Sequence, residues 1–127
     1  MQNTLPKEVN VLHICYRCEK QEDFITTTEN YILEFKPELT IINSSVPPGT
    51  TEKVYKSMGS NVVHSPIRGM HQNRELMKKD LLFWTKYIGG KKESAILAQK
   101  HFKRLGLKTK ILRSSIDTEL AKLFSQE

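Results

Sequence analysis

A turn that is rich in hydroxyl groups and proline follows the second apolar stretch of the chain. Residues 39–49 read Leu-Thr-Ile-Ile-Asn-Ser-Ser-Val-Pro-Pro-Gly, and Thr50 and Thr51 come next. The apolar half predicts a buried strand, and the threonines are typical of a helix N-terminus. In open α/β sheets, ligands bind at the carboxyl ends of the strands. We therefore predict a ligand-binding site here, formed by Ser44, Ser45, Val46, Pro47 and Gly49.

A second loop follows the predicted third strand and is expected to face the same ligand through Ser65, Pro66 and Arg68. His64 and His71 flank this loop, so either histidine could contact the ligand. For His64, a structural role inside its strand is the simpler interpretation. The four histidines of the chain share no common spacing, and we predict no metal site. The glycine-rich turn that cradles a dinucleotide, Gly-x-Gly-x-x-Gly, is absent from the sequence.

Cys15-Tyr-Arg-Cys18 has the spacing of a thiol redox motif. Such a motif needs a thiolate that is stabilised by a helix N-terminus. Here the next helix is predicted to begin beyond Glu19, and the acidic residues Glu22 and Asp23 would raise the thiol pKa. We keep a Cys-x-x-Cys redox protein as an alternative, and regard one buried and one loop cysteine as the simpler interpretation.

The composition is that of an ordinary globular protein, with 127 residues of which 38% are hydrophobic and 27% charged. This length predicts one domain, residues 1–127, with a core of its own. The sequence contains no apolar run that is long enough to span a membrane, no signal-peptide pattern and only two cysteines. We therefore expect a cytoplasmic protein without a membrane partner.

The net charge of +6 is concentrated in one stretch. Residues 74–113 contain 12 Lys or Arg and three acidic residues, which gives +9. Such a stretch could attract phosphate or nucleic acid. Solvated helix faces are the simpler interpretation, because no aromatic residues alternate with the basic ones and no nucleic-acid-binding signature is present. We expect no nucleic-acid partner.

The hydrophobic pattern alternates between strand and helix periods along the whole chain. This alternation predicts an α/β fold, with a mostly parallel sheet of about five strands and helices on both faces. One helix should place Phe24, Thr28, Tyr31, Ile32 and Phe35 on its buried stripe. The predicted strands are residues 9–16, 40–44, 61–65, 84–88 and 108–113, and the predicted helices are residues 22–35, 50–57, 73–82, 93–105 and a last one from 115.

Four segments, in this order and spacing, resemble the UDP-glucose/GDP-mannose dehydrogenase family. The resemblance covers almost the whole chain and implies a truncated Rossmann-like domain, the second half of the family's NAD-binding domain. NAD is therefore the cofactor that the resemblance implies, and a nucleotide or sugar nucleotide is the implied ligand. The segments are residues 11–15 (Val-Leu-His-Ile-Cys), 42–51 (Ile-Asn-Ser-Ser-Val-Pro-Pro-Gly-Thr-Thr), 64–66 (His-Ser-Pro) and 118–123 (Thr-Glu-Leu-Ala-Lys-Leu).

The resemblance also implies two catalytic positions. Ser45 stands where the family has Thr or Ser near the nicotinamide, and Lys122 stands at the lysine that stabilises developing oxyanion charge. Ile67 replaces the glutamate of the family's Ser-Pro-Glu, and isoleucine cannot exchange protons. Gln126 replaces an asparagine. The family's catalytic cysteine lies in a later domain, so neither cysteine of this chain corresponds to it.

These departures predict a divergent, catalytically incomplete module that binds a nucleotide or a partner, with NAD affinity weakened or lost. An NAD-dependent oxidoreductase subunit completed by a partner chain is the alternative enzyme hypothesis. In the family's strand order, the first strand of this chain would lie beside a strand that the chain lacks. Soluble proteins do not leave such an edge bare. We therefore predict a homodimer, formed through this edge or through the last helix, which carries Leu120, Leu123 and Phe124.

Overall fold

A computed structural model describes residues 10–66 and 85–124 of the chain. Within these residues, strands and helices alternate, which confirms the predicted α/β class. The loop predicted at 66–72 lies almost wholly outside the described residues, and the helix predicted at 73–82 lies wholly outside them. The elements are β1 (Val11–Ile14), α1 (Gln21–Phe35), β2 (Leu39–Ile42), α2 (Thr50–Met58), β3 (Val62–His64), β4 (Lys86–Gly90), α3 (Lys92–Arg104), β5 (Thr109–Ile111) and α4 (Ser115–Phe124).

The five strands form one sheet in the order β1-β2-β3-β4-β5. Neighbouring strands are parallel except for β3 and β4, which run antiparallel. The predicted mostly parallel sheet is therefore confirmed. In the described part of the chain, β1 and β5 are the edges, whereas all four residues of β2 are buried. None of the described helices is long and apolar enough to cross a membrane.

The core has two parts, one on each face of the sheet. On one face α1 and α2 pack against the sheet, and on the other α3 does so. The two sets alternate along β2, as side chains on a strand must. The first set is Ile14, Phe24, Ile32, Ile42, Val46, Val54 and Val62, and the second is Leu39, Ile41, Val63, Ile88, Ala95, Ala98 and Phe102.

The buried stripe of α1 is narrower than predicted. Phe24, Thr28 and Ile32 are buried at the expected spacing of four residues. Tyr31 and Phe35, which were predicted to be buried as well, are 38% and 53% exposed. They extend past the stripe towards β1, where no further described strand covers the sheet. The prediction was therefore wrong for these two aromatic residues, because β1 is the edge of the described sheet and no described strand lies beyond it to cover them.

The predicted start of α2 needs correction. Gly49, with φ 93°, is the N-cap of α2, whereas the sequence suggested Thr50 or Thr51. A glycine adopts this left-handed conformation at little cost. The Thr50 hydroxyl instead donates to the Pro47 carbonyl at 2.6 Å. The helix predicted at 50–57 ends at Met58, and Gly59 is its C-cap.

The fourth strand was predicted at residues 84–88, but Gly89 and Gly90 are the last two residues of β4 and pair with His64 and Val63. A Cβ on Gly89 would lie 2.5 Å from Thr118 Oγ1 and 2.6 Å from the Ser114 carbonyl. No side chain fits at such distances. The glycine therefore lets the start of α4 pack directly on the backbone of β4.

Candidate functional site

The predicted turn after β2 lies at the carboxyl end of the sheet and is held to the end of β1. The backbone amide of Asn43 donates to the Ile14 carbonyl at 2.8 Å. The Ser44 hydroxyl donates to the Tyr16 carbonyl at 2.5 Å. Asn43, Ser44 and Val46 are buried, whereas Ser45 is half-buried and Pro47 is exposed. Only part of the predicted site therefore faces solvent.

The N-terminus of α2 is occupied by a carboxylate of the protein itself. Glu119 Oε1 accepts from the Gly49 amide at 2.8 Å, and Oε2 accepts from the Thr51 amide at 2.9 Å. Free amides at a helix N-terminus would bind an anion. Here the carboxylate of α4 already takes that place, so these two amides are not available to a phosphate group.

Glu119 is fully buried, and this burial raises the pKa of its carboxyl group above the ordinary value. The hydrogen bonds from Thr51 and Gly49 act in the opposite direction, because they stabilise the carboxylate. The sequence places Glu119 near the first turn of α4, within the segment 118–123 that carries the family resemblance. The acidic residue in the first turn of α4 is Asp117, whereas the Glu119 carboxylate accepts a hydrogen bond from the start of α2.

His64 joins the ends of three elements. Its Nε2 lies 2.8 Å from the Ser44 carbonyl oxygen, and its Nδ1 lies 2.8 Å from Thr118 Oγ1. A carbonyl oxygen can only accept, so Nε2 carries a proton. The ring is fully buried. His64 therefore ties β3 to the turn and to α4, in agreement with the structural interpretation of this residue.

The second predicted loop begins beside the first one, because the Ser65 amide donates to the Ile42 carbonyl at 2.9 Å. The Ser65 hydroxyl donates to the Tyr87 carbonyl at 2.8 Å. Lys86 Nζ donates to the carbonyls of Ser65 and Pro66 at 2.9 and 3.3 Å. Lys86 is only 8% exposed, and sequence reasoning did not select it. A lysine inside an otherwise apolar strand was the one available signal.

Two histidines meet beside the predicted site, on the face of the sheet that α3 covers. His13 Nε2 and His101 Nε2 are 3.4 Å apart, and His13 Nδ1 lies 3.2 Å from Asn43 Nδ2. Burial lowers the pKa of both rings, and each has a nearby cation that adds to the effect. The pair is thus favoured in its neutral form. No group of three or more possible metal ligands occurs in residues 10–66 and 85–124.

Both cysteines are free thiols, with Cys15 exposed and Cys18 half-buried. Burial raises the pKa of the Cys18 thiol. A redox-active thiol needs a pKa that is lowered by nearby positive charge. α1 begins at Gln21, three residues beyond Cys18, with two acids in its first turn. These surroundings weigh against the Cys-x-x-Cys alternative.

Four residues singled out in the sequence are not described fully enough to test. Arg68 and Ile67 lie outside the described residues, as does Gln126. For Lys122 the structure describes only the backbone, which lies in α4. The predicted residues that the structure does bring together are Ser44, Ser45, Val46, Pro47, Gly49, Ser65 and Pro66.

No protein-family model and no curated protein matches the chain. Solved structures do match. The chain is similar to UDP-D-ManNAc dehydrogenase of Pyrococcus horikoshii, with a TM-score of 0.73 and 26% identity over 91% of this chain and 31% of that one. It is also similar to UDP-N-acetyl-mannosamine dehydrogenase of Staphylococcus aureus, with a TM-score of 0.68 and 20% identity over 96% and 34% of the two chains.

A third match is UDP-glucose dehydrogenase of Pyrobaculum islandicum, with a TM-score of 0.66 and 18% identity over 91% of this chain and 31% of that one. These matches confirm the resemblance of the fold to the nucleotide-sugar dehydrogenases. The chain spans about a third of the length of the solved structures that it matches.

Proposed function

We propose that this chain is a dehydrogenase-like nucleotide-binding module that does not oxidise a sugar nucleotide on its own. The observation that carries the proposal is the occupied N-terminus of α2, where Glu119 binds the amides of Gly49 and Thr51. The turns at the carboxyl end of the sheet are present. The nearest amides that could bind a phosphate group, those of Gly49 and Thr51, are bound to Glu119. Of residues 44–49, Pro47 and Pro48 are exposed and Ser45 is half-buried, and these three offer surface to a ligand.

NAD is the cofactor that the family resemblance implies, and the described residues do not fit it as a complete site. A dinucleotide needs backbone amides to hold its pyrophosphate. The sequence has no Gly-x-Gly-x-x-Gly turn, and the α2 amides at this edge bind Glu119. We therefore assign no hydride-transfer step to this chain. A nucleotide would be held here through its base or sugar.

The test is a thermal-shift panel with NAD, NADH, UDP-glucose, GDP-mannose and UDP. A ligand at about 100 times its dissociation constant adds roughly 2.7 kcal/mol, which is several degrees for a domain of this size. We expect a shift with at least one nucleotide and no production of NADH. Ser45→Phe should remove the shift, and Ser57→Phe, at an exposed position on α2, should keep it.

The absence of any shift would contradict the nucleotide-binding role, and so would a shift that survives Ser45→Phe. Production of NADH from NAD and a sugar nucleotide by the chain alone would contradict the incomplete site. The second candidate is an NAD-dependent oxidoreductase subunit that a partner chain completes. It is favoured by the edge of β1, which pairs only with β2 in the described part of the chain.

The same edge supports our proposal that two copies of the chain associate. Beside β1 lies an apolar cavity of about 250 Å³, lined by Leu12, Ile14, Tyr16, Tyr31 and Phe35 together with His13. Tyr31 and Phe35 stack with their ring centroids 6.1 Å apart. An open strand edge next to exposed aromatic rings is a surface that soluble proteins cover.

A further inference from the structure

A basic cavity lies along α2, and its lining includes Thr51 at the start of that helix but neither Ser45 nor Pro47 of the predicted ligand site. It has a volume of about 180 Å³, far more than the roughly 30 Å³ that a water molecule takes in the liquid. It lies between α2 and the start of α4. Because β4 is antiparallel to β3, its last residue, Gly90, is next to the amino end of β3 at Val62. The residues used below are Tyr55, Lys91, Lys92, Arg113, Ser114 and Ser115.

Positive charge exceeds negative charge in this cavity. Among the described residues that line it, Lys91, Lys92 and Arg113 are basic and Glu52 is the one acidic residue. Glu52 already forms an ion pair with Lys56 at 3.2 Å. The Arg113 side chain is 92% exposed, and its carboxylate contact, Asp117, is 3.7 Å away. A contact of this length on the surface contributes little, so the guanidinium can turn to another anion.

The shape of the cavity adds hydrogen-bond donors to this charge. Lys91 Nζ lies over the Tyr55 ring, 5.8 Å from its centroid, which holds the ammonium at the wall. α3 begins at Lys92, and no side chain caps its first amides. Ser114 and Ser115, at the start of α4, also line the cavity, and each carries a hydroxyl group. Ammonium, guanidinium, hydroxyl and amide donors together match the oxygens of a phosphate group.

We propose that this cavity binds a phosphate-bearing ligand, with Lys91 and Arg113 as its main contacts. Lys91 and Lys92 stand at the start of α3 and Arg113 follows β5, and the fold brings these two segments around one concave space. This site is separate from the Ser45 surface, so it does not depend on the proposed nucleotide site. A free phosphate or diphosphate and the diphosphate of a nucleotide offer the same chemistry.

The test is an amide NMR titration of the full chain with inorganic phosphate, pyrophosphate and UDP, with sodium chloride at matched ionic strength as the reference. We expect saturable shifts that include the amides of residues 91–93 and 113–115. Pyrophosphate should bind more tightly than phosphate, because it carries more charge. If UDP binds more tightly than pyrophosphate at this cavity, the ligand is a nucleotide, and otherwise it is a free phosphate compound.

Matched charge reversals separate specific binding from general attraction. Lys91→Glu and Arg113→Glu should each weaken pyrophosphate binding about tenfold or more, because each removes a charge-assisted contact. Lys100→Glu changes the net charge equally, at an exposed position of α3 that does not line the cavity, and should change binding by no more than about twofold. Arg113→Gln, at so exposed a side chain, provides a variant that keeps the fold.

Three results would overturn the proposal: no saturable binding below about 10 mM, an equal loss in Lys100→Glu, or shifts confined to residues 44–49. The last result would assign the phosphate to the predicted carboxyl-end site and leave the proposed nucleotide function standing. Loss of binding in Ser45→Phe, with normal binding in Lys91→Glu, would lead to the same conclusion.

Discussion

The carboxyl end of β2 and β3 differs from the free edge of β1 in how many of its groups have contacts within the protein. At the carboxyl end, Glu119 binds two amides of α2, and both ring nitrogens of His64 have partners. At the edge of β1, Tyr31 and Phe35 are substantially exposed beside an apolar cavity. The first region is closed by contacts within the chain, and the second offers surface to another molecule.

This difference separates two roles that the sequence had combined at one place. The turn at residues 44–49 carries the family resemblance. The backbone amides of Gly49 and Thr51, which could bind an anion there, instead bind Glu119 of α4. We therefore propose that association uses the edge of β1. Substitutions in the closed region should cost stability, whereas substitutions at the open edge should leave stability nearly unchanged and alter association.

The largest effect is expected at Gly89, where α4 packs on the backbone of β4. Gly89→Ala would place a Cβ 2.5 Å from Thr118 Oγ1, so the helix has to move. We expect a loss of about 3 kcal/mol in the free energy of unfolding, measured in urea. Gly90→Ala is the matched control, because its nearest atom would be 3.1 Å away, and it should cost about 1 kcal/mol. Equal costs would mean that α4 does not depend on this close approach.

Removal of the Glu119 carboxylate should have the next largest effect. Glu119→Ala leaves the amides of Gly49 and Thr51 without their acceptor, in a buried place. We expect a loss of about 2 kcal/mol in the free energy of unfolding. The lost hydrogen bonds would cost more by themselves, but removal of a buried charge offsets part of that cost. Glu52→Ala, in the first turn of α2 and partly exposed, should change stability by no more than about 0.5 kcal/mol. An unchanged unfolding free energy in Glu119→Ala would show that this contact does not close the carboxyl end.

The pH dependence of the Glu119 contribution follows from the direction of its pKa shift. Because burial raises the pKa of this carboxyl group, the folded protein binds its proton more tightly than the unfolded chain. The stability that Glu119 contributes is therefore complete below the ordinary pKa of about 4.5 and declines as the pH rises through the raised pKa. The difference in unfolding free energy between wild type and Glu119→Ala should shrink as the pH increases. A difference that grows with pH would mean that the amide hydrogen bonds outweigh burial.

The smallest effect on stability is expected at the open edge. Phe35→Ser should lower the unfolding free energy by no more than about 0.5 kcal/mol, because the side chain is 53% exposed. It should nevertheless weaken self-association in sedimentation equilibrium, since Phe35 lines the cavity beside β1. Leu33→Ser is the matched control on the same helix, 62% exposed and not part of that cavity. A wild-type chain that remains monomeric at high concentration would contradict the predicted homodimer.

Local pattern was enough to predict much of the fold. The spacing of Phe24, Thr28 and Ile32 predicted α1, and the apolar run at β2 predicted a fully buried strand. Gly106, with φ 80°, follows α3 as expected for a residue beyond a helix C-terminus. These features depend on neighbours within one or two turns of the chain, so the sequence contains the information directly.

The candidate site was predicted only in outline. Ser44, Ser65 and Pro66 do lie at adjacent strand ends, because parallel strands place their carboxyl ends at one edge. The roles of Glu119 and Lys86 were missed, since each acts on a segment far away in the sequence. The Glu119 carboxylate reaches an amide 70 residues earlier, and the Lys86 amine reaches a carbonyl 21 residues earlier.

By itself, the sequence determined the alternation of strands and helices, the turns that end them and the net positive charge of the chain. The tertiary structure decided which polar groups remain available. It placed Glu119 on the start of α2, packed α4 against Gly89 and gathered Lys91, Lys92 and Arg113 around one cavity. The physical reason is that hydrogen bonds and burial depend on distances in space, and these distances exist only once the sheet has brought remote segments together.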